Sequence, residues 1–373
     1  MGIIDKFRKR TCTANAVYPR SSKLSTLDPT RDKLKVVYDV YEPRTTRPGD
    51  SVVNFVFLHG SGMNRKIWDY YLDKLAEPGK GWKIGKIILL DQVNHGDSAV
   101  LNERLLGTIY DWSDGARDVC KVCVDELFTD EPHNTFNIVV GHSMGGFQAL
   151  CCSIMHPGLF QLVLCIEPVV LMKRVRASNN EDITIITPAF HDALATKMTD
   201  KFDSPEQFSE YIDGESIYTA TIPVIRKDVK KFEIREIAEG VLKTKISSHQ
   251  HMLTYLCLNP TATWLMKSLP FIACPVVCLY GEKSKWCPPE NRIYLREHIR
   301  NYWETEVADG GHLVNIEDPD AVLQKLNSVV SKRLANAISE EQPVLDDQTR
   351  KHKFDACYKQ LLSSRVIRGT PKL

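Results

Sequence analysis

The stretch IVVGHSMGGFQAL, residues 138–150, constrains this chain more than any other. An apolar, β-branched run leads straight into Gly141-x-Ser143-x-Gly145, and a helix-forming run follows. A serine between a strand and a helix needs a sharp turn with strained backbone, and Cβ atoms at the flanking positions would clash with neighbouring elements. The turn exposes the Ser143 hydroxyl beside a helix N-terminus, whose free N–H groups favour developing negative charge. Ser143 is therefore read as a nucleophile, and the amide of Met144 as one donor to an oxyanion. A glycine-rich turn with an incidental serine is the competing reading, so the partners decide.

A second oxyanion donor is expected from the loop after an earlier strand, FVFLHGSGMNRKIW, where His59-Gly60 ends the strand. The amide of Ser61 is the expected donor, with Gly62 its neighbour in the same turn. The general base is expected late in the chain, and EVADGGHLVNIEDP supplies His312 after a short strand and a Gly-Gly turn. The other histidines fit less well. His95 and His142 belong to their own turns, while His191, His249 and His251 fall in a segment of different character.

Composition excludes several alternatives. Lys plus Arg (48) nearly balances Asp plus Glu (47), for a net charge of +1, so no overall basic field draws the chain to nucleic acid. Apolar runs such as LVLCI and KIILL are too short to cross a bilayer, which predicts a soluble protein with no transmembrane segment. The N-terminus lacks an apolar stretch after its charges, so secretion is not expected, and Lys6 occupies the place where myristoylation needs Ser or Thr. Eleven cysteines without framework spacing read as reduced thiols, and Cys120 and Cys123 of CKVC read as one buried helix face. Neither a metal nor an organic cofactor is expected.

Short apolar runs alternate with helical stretches over residues 33–160 and from 272 to the mid-330s. The strands are predicted at KLKVVYDVY, VVNFVFLHG, KIGKIILLD, FNIVVGHS, QLVLCIEP and CPVVCLYG. Near-continuous apolar runs suit a mostly parallel sheet with helices on both faces. Residues 1–168 and 272–337 are assigned to this α/β core. Residues 169–271 are expected to form an inserted helical cap. SPEQFSEYI carries Ser204 as N-cap, Pro205 and Gln207, while FEIREIAEGVLKTKI and SSHQHMLTYLCL look amphipathic and helical. Residues 338–373 are a polar tail with one possible helix, DACYKQLLSS.

The stretches VFLHGSGM, DQVNHGDSAV, GHSMGGFQAL, IEPVV, WCPP and GGHLVN together resemble the α/β-hydrolase superfamily, and within it the peroxisomal lipases of budding yeasts. The resemblance implies an α/β-hydrolase fold and a serine-dependent hydrolase of lipid esters, acylglycerols or phospholipids, in the peroxisomal matrix. The last residues, Pro371, Lys372 and Leu373, approximate the C-terminal S-K-L signal, which implies the peroxisomal import receptor as partner. Two rival activities remain. One is an acyl-CoA thioesterase, for which Lys173, Arg174 and Arg176 offer basic charge. The other is a catalytically silent peroxisomal binding protein.

One member of the expected triad is missing from its usual place. In this superfamily the acid most often follows the strand after the cap as G-x-x-D, but here the spacing reads Gly281-Glu282-Lys283-Ser284. A serine carries no charge to orient the histidine. Glu167, at the end of LVLCIEPVV, is the favoured acid, because a carboxylate after five apolar residues is costly to bury without a partner. Glu282 and Asp309 are the alternatives, and a chain with no acid is the last. Ser284 and Trp286 are expected to lie near the histidine loop, and Asp91 to brace its own turn.

Overall fold

The computed structural model describes residues 2–45, 52–77, 80–127, 135–176, 182–339 and 345–364. Pro371, Lys372 and Leu373 lie outside the described residues. The first half of the chain lays down β1 Phe7–Asn15, β2 Lys35–Pro43, β3 Val52–Leu58, β4 Lys83–Leu90, β5 Thr135–His142 and β6 Leu162–Ile166. The segment after β6 adds β7 Lys173–Arg176, β8 Asp182–Ile185, β9 Lys201–Phe202, β10 Ile234–Ala238 and β11 Val241–Thr244. The chain then returns through β12 Val276–Gly281 and β13 Tyr302–Val307.

Eight strands form the main sheet in the order β1-β2-β4-β3-β5-β6-β12-β13. β2 runs antiparallel to both of its neighbours, and the pairs from β4 through β13 are parallel. Burial on both faces explains the apolar runs. Along β3, Val56 and Leu58 join the core that contains Trp112 and Phe147, whose rings meet edge-on at 5.2 Å. Phe55 and Phe57 alternate to the other face, where Phe57 packs on Trp68 and Tyr71. Each such side chain contributes about 1.5–3 kcal/mol by leaving water. All eleven cysteines are free thiols, and Cys120 and Cys123 are buried on helix Trp112–Leu127.

Two expectations need correction. The N-terminal stretch, assigned no element, forms β1 and pairs with β2 over nine residues from Phe7↔Pro43 to Asn15↔Lys35. The segment after β6 is not purely helical. FEIREIAEGVLKTKI, expected as a helix, is the β10–β11 hairpin, and β9 joins it as a third strand. Gly240 interrupts the run at the turn, and Ile234, Ile237, Val241 and Thr244 favour strand over helix. β7 and β8 form a second hairpin. The helices Pro205–Gly214 and Ser248–Leu256 do appear, and the Ser204 hydroxyl accepts the Gln207 N–H as a cap.

The described residues up to 329 make one compact unit, and those from 330 a second. The second contains helix Asp347–Ser364, longer than the stretch expected from sequence and without a buried residue. Among the described residues, no helix is long and apolar enough to cross a membrane.

Candidate active site

Ser143 caps helix Met144–Met155 with φ 54° and ψ −114°. A positive φ at a residue with a side chain costs on the order of 1–3 kcal/mol and persists only where packing enforces it. Here β5 and the helix approach very closely. A Cβ on Gly141 would lie 2.1 Å from the Gly145 carbonyl oxygen, and one on Gly145 would lie 2.4 Å from that of Leu58. Neither position admits a side chain. The Ser143 N–H donates to the Ile166 carbonyl at 2.9 Å, which ties the turn to β6.

His312 sits between β13 and the short helix Val314–Glu317, and the fold returns it to Ser143. Its Nε2 lies 3.0 Å from Ser143 Oγ, and its Nδ1 lies 3.0 Å from Glu167 Oε2. The neighbouring His142 is fully buried, and burial holds its pKa well below the ordinary histidine value. It is therefore neutral, and its Nε2 bonds the His312 carbonyl at 2.9 Å without placing positive charge beside that ring.

Glu167 directly follows β6, has φ 52° and is wholly inaccessible. A buried carboxylate needs donors, and three converge on it. The Gly281 N–H donates to Oε1 at 2.8 Å, while Oε2 receives the Ser284 hydroxyl as well as His312. Ser284, in the usual G-x-x-D place, thus donates to a carboxylate held one strand away. The two alternative acids stand elsewhere. Glu282 accepts the Asp309 N–H at 3.0 Å, and Asp309 pairs with Lys283 at 2.5 Å, where both side chains are exposed.

Trp286 stacks on His312, with centroids 4.8 Å apart and planes 10° from parallel. Phe190, from the inserted segment, meets Trp286 edge-on at 4.8 Å. Ser143 and His312 are each only 8% exposed under this cover. Phe190, and the hydrogen bond from Ser284 to Glu167, escaped sequence reasoning. Both depend on contacts between distant segments, and only the aromatic and proline content of KWCPP hinted at a packed loop.

The loop carrying Ser61 runs against Ser143, since a Cβ on Gly60 would lie 3.3 Å from Ser143 Cβ. The Gly62 N–H is committed to His95 Nε2 at 3.0 Å, leaving Ser61 as the candidate donor beside Met144. Buried ions anchor this loop. Asp91 accepts the Arg65 N–H at 2.7 Å, the Asp97 N–H at 2.9 Å and the Arg65 guanidinium. Arg65 also faces Asp39 at 3.2 Å and Asp97 at 2.8 Å. Burial alone would raise the Asp39 pKa, but Arg65 and Lys66 hold it well below the usual carboxylate range.

The inserted segment reaches the same loop through Glu233, whose Oε2 accepts the Asn64 amide at 2.5 Å. Burial pushes Glu233 up to about 8, against the lowering effects of Asn64 and Lys245. The folded state therefore keeps a proton that the unfolded chain releases near the ordinary value, and stability falls as pH rises through that window. Glu233→Gln is expected to raise Tm more at about pH 9 than at about pH 5. Thermal melts at both values check this, and equal shifts would count against it.

Ser284→Ala is expected to lower kcat of the reaction proposed below by about tenfold with little change in KM, because a hydrogen bond to a charged group is lost. Ser284→Thr restores the hydroxyl and should recover most of the rate. Steady-state kinetics of the two variants would separate this role from simple space-filling.

A strained serine at a strand-to-helix turn, facing a histidine and a buried carboxylate on a mostly parallel sheet, is a hydrolase arrangement. The chain belongs to the alpha/beta hydrolase family, whose model matches residues 55–325. It is similar over nearly its whole length to peroxisomal membrane protein LPX1 of Saccharomyces cerevisiae, with 34% identity covering 98% of each chain. The solved structure of peroxisomal alpha-beta-hydrolase Lpx1 from that yeast matches with a TM-score of 0.85 and 35% identity, covering 97% of this chain and 99% of that one. Mouse monoglyceride lipase is 25% identical, covering 79% of this chain and 88% of its own. A type I acyl-CoA thioesterase of Penicillium brevicompactum, mpaH', is 28% identical over 37% of this chain and 32% of its own.

Proposed function

We propose that this chain is a serine hydrolase of lipid carboxylic esters, triacylglycerol or phospholipid, with Ser143, His312 and Glu167 as its triad. The observation that carries the reading is the pair of 3.0 Å contacts linking Ser143 Oγ to His312 Nε2 and His312 Nδ1 to Glu167. Ser143 Oγ attacks the ester carbonyl as His312 Nε2 takes its proton. The tetrahedral oxyanion is held by the N–H groups of Ser61 and Met144. The resulting imidazolium is stabilised by Glu167 and by the face of Trp286, a favourable surface for a cation. His312 then protonates the departing alcohol, leaving an acyl-Ser143. Water, activated by the same histidine, releases the acid. No step calls for a metal or an organic cofactor.

The lipid-ester assignment draws on the likeness to a monoglyceride lipase and on the apolar cover that Phe190, Trp286 and Tyr255 build over the site. The location proposed is the peroxisome, and within it the matrix, with the import receptor as partner; the likeness to a peroxisomal protein of yeast supports the organelle. The domain assignment is kept as an α/β core of residues 1–168 and 272–337, a mixed rather than helical cap over 169–271, and a tail from 338.

The likeness to an acyl-CoA thioesterase favours a second reading on the same triad. Lys173 and Arg176 are exposed on β7, where a phosphorylated carrier would find positive charge. Turnover of p-nitrophenyl esters, triacylglycerol, phospholipid and acyl-CoA by one preparation tests the choice. Ester turnover exceeding acyl-CoA turnover supports the lipase reading, and the reverse order overturns it. A chain that hydrolyses none of them and resists a fluorophosphonate would instead be a silent binding protein.

A further inference from the structure

The loop that brings Ser284 to Glu167 also brings a thiol. Cys287 is 3% exposed, and its Sγ lies 3.4 Å from the Pro168 carbonyl oxygen, one residue beyond Glu167. Glu167, His312 and Cys287 each offer a ligand atom, and these atoms all lie within 4.8 Å of one another. Three different ligand types converge here, from the end of β6, the loop after β12 and the loop after β13.

We propose that Glu167, His312 and Cys287 form a site for a thiophilic divalent cation of the zinc class, whose occupation switches the hydrolase off. The inhibitory half rests on the triad reading above; the binding half does not. A carboxylate oxygen, an imidazole nitrogen and a thiolate suit zinc, cobalt or cadmium, and a thiolate selects against magnesium and calcium. Tetrahedral ligands with bonds of about 2.0–2.1 Å stand about 3.3 Å apart. The Nδ1 to Oε2 separation, 3.0 Å, has to open by a few tenths of an ångström, and Cys287 Sγ, within 4.8 Å of both, has to close toward the roughly 3.6 Å that a Zn–S bond of about 2.3 Å sets. One carboxylate and one thiolate neutralise a divalent charge, which suits a buried site.

The cation takes the place of the hydrogen between His312 Nδ1 and Glu167, and that proton moves to Nε2, so the imidazole stays neutral in its other tautomer. The Cys287 S–H bond breaks as the S–metal bond forms, and one proton leaves to solvent. His312 then presents an N–H to Ser143 Oγ in place of a lone pair. Ser143 has lost its base, and the histidine can no longer accept a proton.

The test uses the purified full chain titrated with Co²⁺ and, separately, assayed with Zn²⁺. A thiolate-to-cobalt charge-transfer absorption is expected in the wild type and in Cys357→Ala, which removes the one exposed thiol, but not in Cys287→Ala or Cys287→Ser. Zn²⁺ is expected to inhibit p-nitrophenyl ester turnover, Mg²⁺ is not, and Cys287→Ala should weaken the zinc effect by about tenfold or more. Fluorophosphonate labelling of the Cys287 variants would show that they are folded. Absence of the cobalt band, its loss in Cys357→Ala, or unchanged zinc inhibition in a labelled Cys287 variant would overturn the site. A Cys287-dependent band in a chain without hydrolytic activity would uphold the site and defeat the triad reading. Active enzyme without the band would do the opposite.

Discussion

Ser143→Ala is expected to abolish turnover, with a loss in kcat on the order of a million-fold, and to abolish covalent labelling by a fluorophosphonate. The size follows from chemistry rather than packing. The hydroxyl is the only atom removed, the helix and its neighbours keep their contacts, and whatever rate remains comes from the oxyanion donors and from substrate binding. The positive φ adds a second expectation. Alanine is no better suited than serine to φ 54°, so Tm should change little, and a melt run beside the assay separates lost chemistry from lost fold. Intact labelling in Ser143→Ala would place the nucleophile elsewhere and remove the basis of the proposed function.

Glu167→Gln is the second large effect, expected to lower kcat by about ten-thousand-fold, because the amide can donate to His312 Nδ1 and so favour the wrong tautomer. The Gly281 N–H would still donate to the amide oxygen in the place of Oε1, while the Ser284 hydroxyl, now facing the amide N–H in the place of Oε2, would accept instead of donate. Glu282→Gln and Asp309→Asn serve as comparisons. Both residues sit in exposed loop contacts, so each should keep kcat within about a factor of two, in line with the small effects of surface substitutions. Kinetics on the three variants decide the acid. Full activity in Glu167→Gln together with loss in either comparison would move the role to that residue.

What the sequence reveals depends on where the physical signal resides. The core strands from β2 to β6, and β12, are legible because burial on both faces writes itself as unbroken apolar runs. The turn at Ser143 is legible because close approach of strand and helix leaves only glycine at 141 and 145. β1 is not, since FRKRTCTAN is an edge strand held by pairing with β2 and buries little besides Phe7. Backbone pairing leaves no apolar trace. The β10–β11 hairpin misleads for a related reason. Its residues are mostly part-buried or exposed, and sparse apolar positions fit a helix as well as a strand. In the site, single residues such as Glu167 stand out by being charged in an apolar run. Pairwise facts do not: that Ser284 reaches Glu167, or that Cys287 lies beside both, requires the packed loop.

Positions 167 and 284 touch across neighbouring strands although 117 residues separate them in the chain. A protein with carboxylates at both places would hold two like charges in contact, and one of them would keep a proton. Throughout such a state the histidine would still face an ionised oxygen. Descent can therefore carry the acid from one strand to the next in two viable substitutions, the second carboxylate arriving before the first is lost. In this chain the hydroxyl at 284 is neutral and leaves the whole charge on Glu167. Two members of one lineage can then differ in which strand bears the acid while keeping a single geometry around the histidine.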